Sequence, residues 1–414
     1  MTGDILTLNA GSSSVKFAVF AGDGPNGAGR IMGKIAGIGR APLFSAKNAD
    51  GTVLPSHQLE NLDPALSHED LVTLLLEWLE GQLEDRQLAV VGHRVVHGGQ
   101  KFSQPVRIDA QVLSELHALA PLAPLHQPHN LAAIRAVAMW EPELLQIACF
   151  DTGFHRTQDR LATLFALPRD LTDAGVIRYG FHGLSYDYIA SVLPDHLGPK
   201  ADGRVIVAHL GNGASMCALK DRDSVATSMG FTALDGLMMG RRCGTLDPGV
   251  VLYLLQSKGM DAAQIEDLLY KRSGLLGVSG ISNNMQDLEG STARTANEAI
   301  DLFVFRAVQT LAGLIPALGG LDAIVFTAGI GENSARVRRA ICERLEWLGV
   351  ALDAAANERH GPTISSASSA VDVLVLPTNE EAVIATACRQ HLQKTDQSGA
   401  PLPSQKTRKA ADHG

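Results

Sequence analysis

Two segments of this chain share one pattern: an apolar strand, a short turn of small residues, and a second apolar strand. The first is ILTLNAGSSSVKFAVF, Ile5 to Phe20, and the second is VIVAHLGNGASMCAL, Val205 to Leu219. The first turn carries three serines and is followed by Lys16, which is more than a plain hairpin needs. Small residues let a backbone approach an anion, which serine and lysine then bind. The repeat predicts two related domains, each with a phosphate loop; a serine-rich surface hairpin is the alternative for the first.

A third apolar strand, AIVFTAGIGEN, also runs into glycines, and its sequence predicts a helix after it from about Ser334 to Leu348. Three glycine-rich turns that each follow an apolar strand indicate a long polyphosphate ligand held at several points. None has the GxxxxGK[ST] spacing of a P-loop or a GxGxxG that opens a helix. The sequence therefore favours neither a P-loop NTPase nor a dinucleotide-binding dehydrogenase.

Length and charge narrow the class of protein. The 414 residues predict two or three domains, and the net charge of −9 argues against nucleic acid as a main partner. Five scattered cysteines without CxxC spacing predict free thiols rather than a disulfide or zinc framework. We find neither a signal peptide nor an apolar run long enough to span a membrane. These features predict a cytoplasmic protein without a membrane partner.

Local patterns predict further elements. SHEDLVTLLLEWLEGQLED predicts a helix that Ser67 caps together with Asp70, and AVVGHRVVHGG predicts a strand that carries Arg94 among valines. An arginine in such a strand is costly unless it is paired, so a buried ion pair is the alternative to anion binding.

The polar residues from Thr395 onward predict a disordered tail.

Nine motifs, in this order along the chain, carry a family resemblance: NAGSSSVK, GHRVVHGG, PLAPLHQPHN, FDTGFH, RYGFHG, HLGNGAS, GLMMGRRCGTLDPG, FTAGIGEN and PTNEEAVIA. Together they resemble the acetokinase family over residues 9–387. The resemblance implies an α/β fold with two related domains of the actin-like ATPase (ribonuclease H-like) type and an interdomain cleft that binds ATP. It further implies reversible transfer of the ATP γ-phosphate to acetate, dependence on Mg²⁺ with Mn²⁺ as a substitute, and a homodimer.

The resemblance also implies domain boundaries. Residues 1–150 with 383–394 would form the domain on the acyl and phosphate side. Residues 151–382 would form the nucleotide-binding domain, and residues 395–414 the disordered tail.

Roles of individual residues follow from the same resemblance. Arg94 would bind the acetate carboxylate, and Arg242 would stabilise charge on the transferring phosphoryl group. His182 would donate a hydrogen bond to the phosphoryl oxygens, and His126 would help to position that group, while Asp151 would act as an orienting or proton-handling group. From pattern alone, a lone histidine such as His182 is more often a satisfied surface or core group than a catalyst.

The resemblance assigns three further sets of residues. The apolar acyl pocket would be lined by Val96, Leu125, Phe181 and Ala233, and Mg²⁺ would be held by Asn9 and Glu380. ATP would be bound by Ser12, Lys16, His209, Leu210, Gly211, Asn212, Gly213, Asn284, Met285, Gln286, Gly329, Ile330, Gly331, Glu332 and Asn333.

The chain departs from the family pattern at several of these positions. Asn284 and Gln286 stand where the family usually has Asp and Arg, which puts nucleotide affinity and base preference in question. Ala233 replaces a proline of the acyl pocket, so we expect a slightly larger pocket and measurable use of propionate. Tyr186 replaces a histidine and Arg241 a threonine, and the sequence assigns no role to either.

Two other functions share parts of the pattern. A sugar kinase of the same superfamily would need an aspartate acting as a base on a hydroxyl, and would have no reason to direct two arginines at a carboxylate. A non-enzymatic ATP-binding clamp would keep the phosphate loops and lose the acyl pocket. The motifs GHRVVHGG and RYGFHG favour the acyl kinase over both.

Overall fold

The computed structural model describes residues 3–22, 29–56, 59–83 and 86–397. The chain divides into two compact units: unit 1 is Met1–His97, Gln104–Phe150 and Glu381–Gly414, and unit 2 is Gly98–Ser103 and Asp151–Glu380. Residues 395–397, which the sequence assigns to the tail, belong to a helix that ends at Gln397. The rest of the predicted tail, residues 398–414, lies outside the described residues.

The elements are numbered in chain order. The strands are β1 (Asp4–Ala10), β2 (Ser14–Phe20), β3 (Ile31–Ala36), β4 (Leu43–Asn48), β5 (Leu88–Val95), β6 (Val106–Arg107), β7 (Leu145–Phe150), β8 (Val205–Leu210), β9 (Ala214–Lys220), β10 (Asp223–Thr227), β11 (Ala323–Thr327) and β12 (Asp372–Val375). The helices are α1 (His68–Leu83), α2 (Ala110–Ala118), α3 (Gln127–Trp140), α4 (Arg160–Thr163), α5 (Arg169–Asp173), α6 (Gly183–Leu197), α7 (Pro248–Gln256), α8 (Ala262–Lys271), α9 (Gly274–Ser279), α10 (Met285–Glu289), α11 (Arg294–Leu318), α12 (Ala328–Asn333), α13 (Ala335–Glu343), α14 (Ala354–Glu358) and α15 (Glu380–Gln397).

The sheets of the two units share a five-strand arrangement, to which the unit 1 sheet adds one outer strand at each edge. In unit 1 the strand order is β4-β3-β2-β1-β5-β7-β6, and in unit 2 it is β10-β9-β8-β11-β12. In each sheet the first strand pairs antiparallel with the second and parallel with the next strand that follows a helix. The predicted repeat of strand, turn and strand is therefore confirmed as the start of two related α/β folds.

Helix α1 forms where its capping pattern predicts it. The backbone N–H and hydroxyl of Ser67 both donate to Oδ2 of Asp70, at 2.9 and 2.6 Å, and the N–H of Asp70 lies 3.1 Å from the serine oxygen. These bonds satisfy donors that the first helical turn leaves open. The leucines of α1 then pack with the first two strands into the core of unit 1.

The opposite face of the unit 1 sheet is covered by α15. A Cβ on Gly92 of β5 would lie 2.3 Å from Cγ2 of Ile384 and 2.6 Å from Sγ of Cys388, so only glycine allows the helix to approach this closely. Arg94 follows two residues later on the same strand and therefore projects from this same face.

In unit 2, α6 and the strands β8, β9, β11 and β12 form one apolar core. The longest helix, α11, has an 18-residue window with a mean hydropathy of 1.4, so by length and composition alone it could cross a membrane. Its residues Phe303, Ala307 and Leu311 are buried, however, and it contacts β8, β9 and β10. Core helices pass the same test of length and composition, so α11 is weak support for a membrane segment.

Candidate active site

In unit 1, the predicted phosphate turn is a tight connection between β1 and β2. The N–H of Gly11 donates to the carbonyl of Ser14 at 2.8 Å and closes the turn. Asn130 donates from Nδ2 to the carbonyl of Ala10 at 2.6 Å, and Nε2 of His68 lies 2.8 Å from the carbonyl of Gly11. These bonds hold the turn from within the unit, while the side chain of Ser12 is exposed.

On the face of the unit 1 sheet that α15 covers, three of the predicted site residues lie side by side on neighbouring strands. Asn9 of β1 pairs with Lys16 of β2, so their side chains are cross-strand neighbours. On the other side of Asn9, Arg94 donates from Nη1 to the amide oxygen of Asn9 at 3.0 Å. Arg94 is half-buried and Lys16 is exposed, so the row presents two cations on either side of one amide.

The motif HQPHN braces the end of β5. Gln127 is fully buried. Its Oε1 accepts from the backbone N–H of His97, and its Nε2 donates to the carbonyl of His97, each at 3.2 Å. Oδ1 of Asn130 accepts from the N–H of Val96 at 2.9 Å, so Asn130 ties β5 to β1. The predicted pocket residue Val96 is buried and Leu125 is half-buried, and His126 occupies the N-cap position of α3.

In unit 2, His182 occupies a strained backbone position at the start of α6. Its φ of 58° and ψ of 24° lie in the left-handed region that a non-glycine residue seldom adopts. Nδ1 lies 2.8 Å from Oγ of Ser215, and the ring stacks on His209 with 4.2 Å between centroids. The hydroxyl of Tyr186 contacts the same serine oxygen. The His182 ring is thereby held at its Nδ1 edge by the contact with Ser215 and on one face by the ring of His209.

His182 and Arg242 converge on the turn between β8 and β9. A Cβ built on Gly213 would lie 2.7 Å from Nη2 of Arg242 and 3.3 Å from Nε2 of His182. The other nitrogen of the guanidinium, Nη1, donates to the carbonyl of Ala233 at 2.5 Å. Two hydrogen-bond donors therefore lie close to the backbone of Gly213, where no side chain fills the space. This arrangement suits the binding of a tetrahedral anion.

The two predicted nucleotide turns of unit 2 are neighbours. A Cβ on Gly211 would lie 3.6 Å from Cβ of Ala328 and 3.9 Å from the N–H nitrogen of Gly329. The second turn differs from the sequence prediction, because residues 328–333 form the short helix α12 and the predicted helix begins only at Ala335. Ala328 enters α12 with a positive φ of 65°.

The carboxylate of Glu332 is used within the protein. Its Oε1 accepts from the N–H of Ala328 at 2.8 Å and from the N–H of Thr378 at 3.2 Å. These bonds stabilise the left-handed start of α12, and they direct the carboxylate of Glu332 towards backbone N–H groups of the protein. In contrast, Gly329 and Asn333 are exposed, and Asn333 donates from Nδ2 to the carbonyl of Gly329 at 2.9 Å.

A buried arginine that the sequence analysis did not assign supports α12. Arg338 is fully buried and donates from Nη1 to the carbonyls of Gly331 and Glu332, both at 2.9 Å. It also donates from Nε to Oδ1 of Asn357 at 2.8 Å, and burial lowers its pKa. Nothing in the local sequence distinguishes it from its neighbours Arg336 and Arg339, which lie on the surface.

The departures at Asn284 and Gln286 fall on α10. Asn284 caps this helix, with Oδ1 accepting from the N–H of Gln286 at 3.1 Å, and Gln286 is exposed. The side chain of Met285 is buried, as are those of Leu210 and Ile330, so these three can contact a ligand only through their backbone. Next to α10, Asn283 donates to Oδ1 of Asn212 at 3.0 Å and accepts from Arg241 at 3.4 Å.

Asp151 and Phe181 are both buried in unit 2. Asp151 follows the last residue of β7, and its backbone carbonyl accepts from the N–H of Gly183 at 2.8 Å. The carbonyl of Phe181 accepts from Nε2 of His155 at 2.9 Å, and burial lowers the pKa of His155 to about 4. His155 is therefore a neutral structural histidine beside the site.

Within the described ranges, no group of three or more histidine, cysteine, aspartate or glutamate side chains could hold a metal ion. The predicted ligands, Asn9 and Glu380, supply one amide and one carboxylate, and the amide oxygen already accepts from Arg94. Oxygen donors of this kind suit Mg²⁺, which keeps several waters and takes its remaining ligands from phosphates.

Comparison with known proteins gives a consistent result. The sequence profile described as the acetokinase family matches residues 4–386. An acetate kinase of Rhodopseudomonas palustris strain TIE-1 is 53% identical over 390 residues, which are 93% of this chain and 97% of that protein. An acetate kinase of Methylocella silvestris is 49% identical over 408 residues, covering 97% of this chain and all of that protein.

Solved structures match the fold. A propionate kinase from Francisella tularensis superposes with a TM-score of 0.86 at 36% identity, over 93% of this chain and 98% of that one. The acetate kinase of Porphyromonas gingivalis superposes with a TM-score of 0.82 at 35% identity, over 94% of this chain and 100% of that one.

Proposed function

The chain belongs to the acetokinase family, and we propose that it catalyses reversible transfer of the γ-phosphate of ATP to the carboxylate of acetate. The products are acetyl phosphate and ADP. The observation that carries the proposal is the convergence of Arg242 and His182 over the bare backbone of Gly213, next to the second nucleotide turn. A cation and a second hydrogen-bond donor at that point are what a transferring phosphoryl group requires.

The chemistry explains which residues the reaction needs. One oxygen of acetate forms a bond to the γ-phosphorus while the bond from that phosphorus to the ADP oxygen breaks. The carboxylate is already ionised, so no proton is transferred and no general base is required. Catalysis then consists of aligning two anions and neutralising their charge. We therefore assign Asp151 an orienting role.

Each unit supplies part of the proposed set. In unit 1, Arg94 binds the acetate carboxylate and His126 helps to position the phosphoryl group, while Ser12 and Lys16 bind phosphate oxygens. In unit 2, Arg242 and His182 neutralise and hold the phosphoryl group. The apolar residues Val96, Leu125, Phe181 and Ala233 bind the acetate methyl group.

ATP contacts in unit 2 follow the exposed residues of the two turns. Asn212, Gly329 and Asn333 are exposed and Gly213 is half-buried, and these four residues would contact ATP, whereas Glu332 accepts a hydrogen bond from the protein's own backbone. Asn9 and Glu380 would hold Mg²⁺, with Mn²⁺ as a substitute. The ion supplies charge neutralisation on the phosphates.

We extend the proposal to a homodimer formed through α7. This helix has no buried residue, and Leu252 and Tyr253 are 53% and 51% exposed. An apolar helix face of this kind marks an interaction site. Leu252→Glu should shift the mass measured by light scattering from dimer to monomer. Leu161→Glu, at an 81% exposed leucine of α4, is the matched control and should leave the mass unchanged.

The cytoplasmic location expected from the cysteines is also part of the proposal. All five cysteines lie in the described ranges, and none forms a disulfide. Burial raises the pKa of Cys217, Cys342 and Cys388 to about 12, so these thiols stay protonated and inert.

A hydroxylamine trap tests the reaction directly. The purified protein is incubated with ATP, Mg²⁺ and hydroxylamine, and acetate, propionate, butyrate or glycerol is offered in parallel. An acyl phosphate reacts to give a coloured hydroxamate, so acetate should give a strong signal that Arg94→Ala or Arg242→Ala abolishes. Phosphorylation of glycerol without any hydroxamate would instead support a sugar kinase. ATP binding without turnover would support a clamp.

Propionate is the second candidate substrate. Ala233 stands where the family usually has proline, and a propionate kinase is among the solved structures that superpose on this chain. We propose acetate as the main substrate and propionate as a slower one.

A further inference from the structure

His182 contacts two hydroxyl groups that the sequence analysis left out of the site. Its Nδ1 lies 2.8 Å from Oγ of Ser215, and the hydroxyl of Tyr186 contacts the same oxygen. Tyr186 and Ser215 are both fully buried. We propose that these hydroxyls hold His182 as the neutral tautomer that carries its proton on Nε2. Ser215 is then a positioning residue for phosphoryl transfer, and Tyr186 fixes the direction of its proton.

The direction of the protons follows from counting donors and acceptors. Each hydroxyl carries one proton and can accept through its oxygen. Within the described part of the chain, the hydroxyl of Tyr186 meets one hydrogen-bonding partner, the oxygen of Ser215. The tyrosine proton is therefore satisfied only by donating to Ser215. Ser215 in turn donates to Nδ1 of His182, which leaves the ring proton on Nε2.

The reverse order leaves a buried donor without an acceptor. If Nδ1 of His182 carried a proton and donated it to Ser215, the serine would have to donate to Tyr186. The tyrosine proton would then have no acceptor in a fully buried position, which costs a hydrogen bond. The doubly protonated imidazolium suffers the same loss, because it too has a proton on Nδ1. Burial also raises the pKa of Tyr186 well above its ordinary value, so the phenol stays a donor.

Two titratable groups next to His182 are His209 and Arg242. The ring of His209 stacks on it with 4.2 Å between centroids and a tilt of 16°. Nη2 of Arg242 lies 2.7 Å, and Nε2 of His182 3.3 Å, from the position that a Cβ on Gly213 would take, so the two groups are neighbours. A second proton on His182 would place a cation against the stacked imidazole and next to this guanidinium. The neighbouring guanidinium therefore favours the neutral ring.

The tautomer matters for the reaction, and this part of the inference rests on the proposed function. Nε2 faces the space above Gly213, where the phosphoryl group would lie. With a proton on Nε2, His182 donates a hydrogen bond to a phosphoryl oxygen. With the proton on Nδ1, the ring would present a lone pair to an anion and repel it. Ser215 thus converts a residue with two possible tautomers into a fixed donor.

Nuclear magnetic resonance reads the tautomer without any substrate. Long-range proton–nitrogen spectra of protein labelled with ¹⁵N-histidine separate protonated from unprotonated ring nitrogens, and His182→Gln assigns the signals. We expect the wild type to show Nε2 protonated and Nδ1 unprotonated at about pH 7.5. A proton on Nδ1, or an imidazolium at that pH, would overturn the inference. The tautomer itself is read from the wild-type protein, and His182→Gln serves only to assign its signals.

Ser215→Ala tests the cause. It should give a mixture of the two neutral tautomers and a ring that protonates at higher pH than in the wild type. The kcat for acetyl phosphate formation should fall about 10- to 100-fold with smaller changes in both KM values, and the acidic limb of the pH profile should move to higher pH. Ser215→Cys keeps a weak donor and should recover part of the loss. An Ala variant with the wild-type tautomer and profile would refute the role of Ser215.

The chain offers a matched control in a second buried serine–histidine pair. Oγ of Ser224 lies 2.9 Å from Nδ1 of His155, and both residues are buried in unit 2. Ser224→Ala should lower stability while leaving kcat within about twofold. If Ser224→Ala lost as much kcat as Ser215→Ala, the effect would be structural and the inference would fail. If the wild type forms no hydroxamate but shows the Nε2 tautomer, the proposed function fails and the tautomer assignment stands.

Discussion

Arg94 donates a hydrogen bond from Nη1 to the side-chain oxygen of Asn9 at 3.0 Å. The proposed acetate-binding arginine is therefore oriented by a residue that the family resemblance assigns to the metal. An amide oxygen has two lone pairs, so one contact does not preclude the other. If Arg94 binds acetate as proposed, Asn9 would orient it for that binding.

Replacing Asn9 should weaken acetate binding. In Asn9→Ala, the half-buried guanidinium of Arg94 loses a hydrogen bond worth about 1–2 kcal/mol and its fixed orientation. We expect the KM for acetate to rise about 5- to 30-fold. Steady-state kinetics at saturating ATP and Mg²⁺ measure this change. An unchanged acetate KM, with only a higher requirement for Mg²⁺, would show that Asn9 serves the metal alone.

Arg242 should not be replaceable by lysine. One nitrogen of its guanidinium donates to the carbonyl of Ala233 while the other faces the space above Gly213. A lysine has a single ammonium and cannot be held and point at the phosphoryl group in the same way. Arg242→Lys and Arg242→Ala should both lower kcat on the order of 10³-fold. Recovery of most activity by lysine in the hydroxamate assay would contradict the assigned geometry.

Gly213→Ala should block the space in which the phosphoryl group is proposed to lie. The new Cβ would be 2.7 Å from Nη2 of Arg242 and would push the guanidinium away. We expect kcat to fall about 100-fold, since small misplacements of catalytic groups have effects of this size. Gly313→Ala in α11 is the control, because its Cβ meets nothing within 4 Å. It should keep full activity and raise the unfolding free energy by up to about 1 kcal/mol.

Much of the fold follows from local signals in the sequence. The capping pair Ser67 and Asp70 and the leucine periodicity of α1 determine a helix without help from distant residues. The two apolar strand pairs are likewise predicted by their apolar residues and by the small residues of the turns between them. The start of α12 was not predictable, because Ala328 adopts a left-handed conformation that depends on Glu332 folding back onto it.

Residues of the candidate site could be predicted from the sequence only where they lie in a recognisable motif. Asp151, His182 and Arg242 lie in recognisable motifs. Ser215 also lies in one, HLGNGAS, but its contact with Tyr186 joins β9 to α6 across 29 residues. A serine on a strand and a tyrosine on a helix give no local sign of a shared hydrogen bond. The same applies to Asn9 and Arg94, which are 85 residues apart and meet only because β1 and β5 are neighbours. Such pairs depend on the tertiary fold.

Stability should fall as the pH drops below about 6.5. Burial lowers the pKa of His93 and of His155 to about 4 in the folded protein. Unfolded histidine titrates near 6.5, so between pH 6.5 and 4 the unfolded chain binds protons that the folded protein does not. Each histidine contributes roughly 3 kcal/mol of stability at neutral pH, which is lost progressively across this window.

Urea unfolding at a series of pH values measures this loss. The free energy of unfolding should decline from pH 6.5 to 5.5, a range in which most carboxylates remain ionised. His93→Gln should be less stable at neutral pH but show a shallower decline, because the proton that His93 binds on unfolding is no longer taken up. A free energy that stays constant across this range would contradict the assignment of these histidines as buried and neutral.

Ala233 should set the ratio of propionate to acetate use. Its carbonyl accepts from Arg242, and a proline at this position would keep that carbonyl while adding ring carbons to the proposed acyl pocket. One methylene in an apolar pocket is worth about 10-fold or more in specificity. Ala233→Pro should therefore lower kcat/KM for propionate relative to acetate about 10-fold and leave the KM for ATP unchanged. Ala233→Ser, which is close in size to the wild type, should keep the original ratio. Propionate turnover by the wild type no greater than that of formate, or a ratio unaffected by proline, would exclude Ala233 as the determinant.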